Sequence, residues 1–179
     1  MSAAGDKTLD DFIVRRLTAE DAEDFLALRL EGLSRHPQAF GADTARDAAL
    51  GMDEWRRRLA GNPVFGGFHD DRLVGAAGMY RESPMKMRHK AVLWGVYVTE
   101  AARGLGLGRA LVEAAVAEAR QQVEQVMTSV SVGNQAALDL YLSLGFQLWG
   151  VQPRALKVED RYIDEIELIL LLEDDSKAG

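Results

Sequence analysis

Six residues constrain this chain more than any others. Arg103-Gly104-Leu105-Gly106-Leu107-Gly108 joins the apolar run 91–99, AVLWGVYVT, to the amphipathic stretch LGRALVEAAVAEARQQ. Glycine at every second position lets the backbone turn with its N–H groups unobstructed by side chains. A strand that passes through such a turn into a helix presents free amides and the positive end of the helix dipole to one point, a site for a pyrophosphate. Arg103 and Arg109 add positive charge at its rim. The alternative use of the same glycines is a plain helix entry with no ligand.

Among ligands, a nucleoside triphosphate held in a P-loop needs Lys-Ser or Lys-Thr after the last glycine, and here Arg109-Ala110 follow. A dinucleotide fingerprint puts its third small residue where Arg109 stands. Its acidic partner, about 20 positions on, falls at Glu124, before the next strand instead of at its end. Coenzyme A remains.

The rest of the chain supplies the frame. Residues 11–18 read as a strand, and 19–37 as a helix with the stripe Ala22, Phe25, Leu26, Leu30 and Leu33, ended by Pro37. The stretch 38–62 is irregular, with a short helix around 52–59, and is a candidate substrate-binding flap. PVFGGFHD and RLVGAAGMY flank Asp70-Asp71 as a hairpin, and their glycines predict close approach of a neighbour. The run 91–99 is apolar on both faces and so central in its sheet. The following helix should bury Leu107, Ala110, Leu111, Ala114 and Ala117, with Arg109, Glu113 and Arg120 in water. Residues 125–132 form a strand. A helix follows, capped by Asn134 and closed by Gly145, then strands FQLWGVQP and 161–172. This order predicts an α+β fold whose mixed, mostly antiparallel sheet carries helices on both faces. One domain over 10–173 is expected, with tails at 1–9 and 174–179. The run from Ile166 to Leu172 suits either a sheet edge that pairs with a second copy, giving a homodimer, or an interior strand.

Composition removes whole classes of function. The net charge of -7 supplies no basic field for a nucleic acid. The chain has no cysteine, which excludes disulfides and thiolate chemistry, and its three histidines stand too far apart for a metal site. No stretch has the length of a membrane span, and the opening MSAAGDKTLD lacks the apolar core of a signal peptide. The expectation is a cytoplasmic protein with neither membrane nor nucleic-acid partners.

The run Arg103–Gly108, with Arg103, Gly106 and Gly108 at the defining places, resembles the pyrophosphate loop Q/R-x-x-G-x-G/A of the GNAT superfamily of N-acetyltransferases. LWGVYV before it resembles that family's fourth strand. The segment from Asn134 through Ala137 and Tyr141 to Gly145-Phe146 is similar to its N-x-x-A-x-x-x-Y-x-x-x-G-F. Resemblance runs from about Phe12 to Leu172.

It implies a three-layer α/β/α fold, splayed between strands 4 and 5, that binds acetyl-CoA as co-substrate and needs no metal. Val96, Tyr97 and Val98 would meet the pantetheine and thioester through their main chain. Arg103, Gly104, Leu105, Gly106, Leu107, Gly108 and Arg109 would hold the pyrophosphate, and Asn134 would touch the coenzyme. Tyr141, which by spacing alone belongs to an apolar stripe with Ala137 and Leu144, would protonate the departing thiolate. The implied reaction is direct attack on the thioester by a primary amine of a small molecule, amino acid or protein. The alternative is an acetyl-CoA sensor with little catalysis, since the fourth strand lacks the carboxylate that many relatives carry. A base elsewhere would have to serve, with Glu31, His89, Asp164 and Glu165 as candidates.

Overall fold

The computed structural model describes residues 8–172. Seven strands form one sheet in the order β1-β2-β3-β4-β5-β7-β6. In chain order they are β1 (Ile13–Arg16), β2 (Val64–His69), β3 (Arg72–Arg81), β4 (Lys90–Val98), β5 (Gln125–Ser131), β6 (Gln147–Val158) and β7 (Arg161–Leu171). All neighbours are antiparallel except β4 and β5. Helices α1 (Ala22–Arg35), α2 (Thr44–Ala49) and α3 (Met52–Gly61) pack on one face, around Phe25, Trp55 and Tyr97. Helices α4 (Leu107–Arg120) and α5 (Gln135–Ser143) cover the other, around Leu107, Leu111, Val126 and Tyr141. The expected three layers and mixed sheet are present.

Local chemistry explains most element ends. Asp70 and Asp71 take φ values of +48° and +60°, the paired left-handed residues of a tight hairpin turn. The Asp21 carboxylate closes the capping box of the turn that leads into α1: it accepts from Thr18 N at 2.7 Å and from the Arg15 guanidinium at 2.6 and 2.9 Å. The Arg15 bond, joined by those from Thr18, outweighs burial and holds that carboxyl at about 2. The close approach predicted for the glycine-bearing hairpin is real. A Cβ on Gly67 would lie 2.5 Å from Leu107 Cδ1, and one on Gly78 would strike the Trp94 ring.

Several expectations need correction. The first strand is shorter than 11–18, because Leu9–Asp11 and Ala19–Asp21 are 3-10 turns. The tails assigned to 1–9 and 174–179 lie outside the described residues except for Thr8 and Leu9, and Leu9 belongs to the first of those turns. The segment 38–62 is more ordered than its composition suggests, since Asp43 accepts from Arg46 N at 2.7 Å and caps the unforeseen α2. On α1 the core side chains include Leu28, while Leu26 and Leu30 are only half-buried. The buried face of α4 is Leu107, Leu111, Val112, Ala115 and Ala119; Ala117 is exposed. Val112 buries more apolar surface than an alanine, so the helix turns toward it. Strand β6 runs to Val158, beyond the expected FQLWGVQP. The run Ile166–Leu172 is not an edge: β7 lies between β5 and β6, and β6 is the edge strand at that end of the sheet.

Candidate acyl-transfer site

The site begins where two strands part. β4 and β5 pair only at Lys90–Gln125, Ala91–Val126 and Val92–Met127. Beyond Val92 the backbone ladder stops. The first freed acceptor, Leu93 O, takes a hydrogen bond from the Thr128 hydroxyl at 3.2 Å instead. On its other side β4 stays bound to β3, but the register slips between Ala76 and Gly78, so the stretch from Trp94 to Tyr97 is one residue too long. Gly95 absorbs the extra residue at φ +63°. Thr99 N bonds Val74 O at 2.9 Å toward β3, so by strand alternation the amides of Val98 and Val96 face the gap.

That gap is a cavity of about 300 Å³ that passes through the sheet. Tyr141 and Asn134 reach it from the α5 side, and Phe40, Gly41, Glu165 and Glu167 from the α1 side. The Tyr141 phenol is buried, and that burial pushes it up to about 12, opposed by the Thr128 hydroxyl. Its ring meets Phe146 edge-on, centroids 5.4 Å apart. Asn134 combines two tasks: its side chain accepts from Ala137 N at 3.3 Å as the helix cap, and it lines the cavity.

The glycine loop lies at the end of β4, where α4 begins. Gly104 and Gly106 stand at φ +77° and +86°, and Gly106 is the residue from which α4 starts. A side chain at either position is strained. Leu107 turns inward to the core and leaves only its amide at the helix start, whereas Leu105 is half-buried in the loop. This cradle fits a pyrophosphate: the first-turn amides of α4 have no helical partner, and at Gly104 no atom lies within 4 Å of where a Cβ would stand. Arg109 donates to Ser143 Oγ at 2.6 Å, tying α4 to α5 at the rim. Arg103 is turned away toward α1. Its Nε donates to Val98 O at 2.9 Å and its Nη2 meets His36 Nε2 at 2.9 Å, above the Tyr97 ring. Tyr97 donates to Glu31 Oε1 at 2.9 Å, and burial and that carboxylate raise its phenol. Its side chain therefore belongs to the α1 core, and its backbone pairs with Ala76 of β3, so Tyr97 stands outside the gap.

Of the four candidate bases, the structure brings one to the cavity. Glu165 lines it. Glu31 is held by Tyr97 and Arg35. Asp164 accepts from Arg154 N at 2.7 Å. His89 precedes β4 at its closed end, where its carbonyl accepts from Glu124 and Gln125. None of these three lines the gap. Sequence reasoning missed Glu167, which lies two residues beyond Glu165 on the same face of β7. Burial, then the Glu165 charge, raise its proton affinity. The alternation of RYIDEIELILLL held the signal, since 165 and 167 share a face.

Comparison with known proteins agrees with this geometry. The model of the acetyltransferase (GNAT) family matches residues 25–146. A mycothiol acetyltransferase of Thermobispora bispora is 34% identical over 140 residues, 73% of this chain and 44% of the relative. An L-methionine sulfoximine/L-methionine sulfone acetyltransferase of Pseudomonas aeruginosa is 37% identical over 70 residues, 38% of this chain and 41% of that one. The chain thus spans less than half the length of these curated relatives. Among solved structures, a GNAT-family acetyltransferase of Streptococcus pneumoniae superposes with a TM-score of 0.81 at 22% identity, covering 90% of this chain and 99% of the other. A Salmonella typhimurium structure that holds acetyl-CoA gives 0.77 at 22% identity, covering 94% and 98%. With the splayed strands, the glycine loop and the family match in agreement, this chain belongs to the GNAT acetyltransferase family.

Proposed function

We propose that this chain is an N-acetyltransferase that moves an acetyl group from acetyl-CoA to an amine, with donor and acceptor entering the gap from opposite faces of the sheet. One observation carries the reading most directly. The parallel pair β4–β5 opens after Val92, beside a positive-φ glycine loop and with a buried tyrosine at the opening. A pyrophosphate on the Gly104–Gly108 amides would direct an extended arm along the open edge of β4, where the amides of Val96 and Val98 can pair with it. The coenzyme supplies an activated thioester.

The chain's residues supply the rest. An amine of lysine type is free in only about one molecule in 2,500 at pH 7. Glu167, whose proton affinity burial raises, takes the ammonium proton. The freed nitrogen bonds the acetyl carbon while an open-edge amide of β4 stabilises the carbonyl oxygen. The C–S bond then breaks, and Tyr141 gives its proton to the sulfur. The second proton shed by the nitrogen balances the one that Tyr141 gives. A phenol held near 12 keeps its proton at neutral pH and is a fit donor to a thiolate.

The relatives are named for compounds as different as mycothiol and methionine sulfoximine, so the names do not choose an acceptor for this chain. Thermal melting with acetyl-CoA, NAD and ATP in parallel tests the donor. A ligand at 100 times its Kd stabilises by about 2.7 kcal/mol, a shift of roughly 5 to 10 °C for a domain of this size. A shift with acetyl-CoA alone, together with release of coenzyme thiol across an amine panel, is expected. Binding without turnover on any amine would instead favour an acetyl-CoA sensor.

A further inference from the structure

The walls of the cavity narrow the acceptor. Among the described residues its lining holds two carboxylates, Glu165 and Glu167, and no Lys, Arg or His. They stand opposite Ser131 and Ser129 of β5, on the face away from Tyr141. The segment around Phe40 crosses this mouth, fixed where Ser131 Oγ donates to Gln38 O at 2.5 Å. Nearby cations are already engaged. Arg29 reaches toward Gly95, but it is bonded to Asp47 at 2.5 Å and lies 5.0 Å over the Trp94 ring. On β6, Arg154 and Lys157 stack on Tyr162 at 4.9 and 5.5 Å.

A free amino acid would bring a carboxylate beside its amine into this mouth. It would meet two like charges and find no cation to pair with. An amine without that group brings only positive charge, which the two glutamates favour. Resting on the reading of the gap as an acetyl-transfer site, we infer that the acceptor is a cationic amine with no carboxylate on the carbon that bears it, and that Glu165 enforces this choice. Glu165 acts as the recognition group and Glu167 as the proton acceptor, one carboxylate for each task.

Matched pairs test this on the full chain, by coenzyme thiol release: L-phenylalanine against phenethylamine, and L-methionine against L-methioninamide. Phenethylamine is the more basic amine of its pair and so has less free base, which biases that pair against the inference. The expected result is a kcat/KM at least about 100-fold higher for the partner without the carboxylate, equivalent to about 2.7 kcal/mol. Glu165→Lys should shrink the ratio about tenfold or more, with the acetyl-CoA melting shift showing that the variant is folded. Equal or faster transfer to the free amino acids overturns the inference and leaves acetyl transfer standing. A preference that Glu165→Lys does not move overturns the role of Glu165. Failure to acetylate any of the four, while acetyl-CoA still raises the melting temperature, removes the amine-transfer reading and this inference with it.

Discussion

The two halves of the β4–β5 pair differ more than any other neighbouring regions of this molecule. From Lys90 to Val92 the strands are zipped in parallel register, and the alternate side chains Ala91 and Val126 are buried. From Leu93 onward the same two strands diverge, and polar groups replace the ladder: the Thr128 hydroxyl takes Leu93 O, and Arg103 takes Val98 O. The closed half behaves as ordinary sheet. The open half leaves backbone groups with one-sided partners, and such groups are available to a ligand. A single bulged residue, Gly95, lies within the open half, where β4 is held only by β3. The fold thus exposes a backbone edge by interrupting a sheet instead of by adding a loop.

Substitutions in the open half should remove function and spare the fold, and those at the junction should do the reverse. The largest effect is expected for Tyr141→Phe, which lowers kcat about 10²- to 10³-fold while the acetyl-CoA melting shift persists. Because burial holds the phenol at about 12, wild-type rate should show no loss from its ionisation at pH 9. An unchanged kcat would remove the proposed acid.

Glu167→Gln comes next, with kcat/KM down about tenfold to hundredfold. Its proton affinity is raised, so the wild-type rate should climb with pH through a limb above the ordinary carboxylate range. The variant should lack that limb. The sign for stability is opposite. The folded state holds this proton more tightly than the unfolded state, so Glu167 contributes stability on the acid side and loses it as pH rises through its raised value. Melting curves against pH should be flatter in the variant.

Gly106→Ala should weaken acetyl-CoA about tenfold, because a side chain at φ +86° strains the helix entry that presents the amides. That strain costs the fold itself about 1–2 kcal/mol. Titration by melting shift separates the two. The smallest effect is expected at the junction. Thr128→Val strips the buried Leu93 carbonyl of its donor, costing about 1 kcal/mol of stability and leaving coenzyme affinity nearly unchanged. A large loss of affinity there would blur the contrast between the halves.

Much of this was legible in the chain before folding. The glycine loop, the hairpin at Asp70-Asp71 and the Asn134 cap are local signals. Each reflects φ, ψ and a hydrogen bond within a few residues, and each appears where expected. Less legible were features set at a distance. Six residues of α2 give too short a window for periodicity. The face of α4 depends on how far Val112 can sink against the sheet, and spacing counts alanine and valine alike. Strand β7 is interior because β6 pairs along it to Val158, which no local pattern in IELILLL announces.

The sequence by itself determined that a strand, a phosphate-sized turn and a helix start meet at residues 103–108, since glycine spacing and strand-to-helix order are properties of contiguous residues. Only the tertiary structure decided that Tyr141 and Glu167, 26 positions apart in the chain, open on one cavity from opposite faces of the sheet. Strand register carries that information. Pairing β7 with β5 fixes which carboxylates face the gap, and one residue of slip would turn them both away.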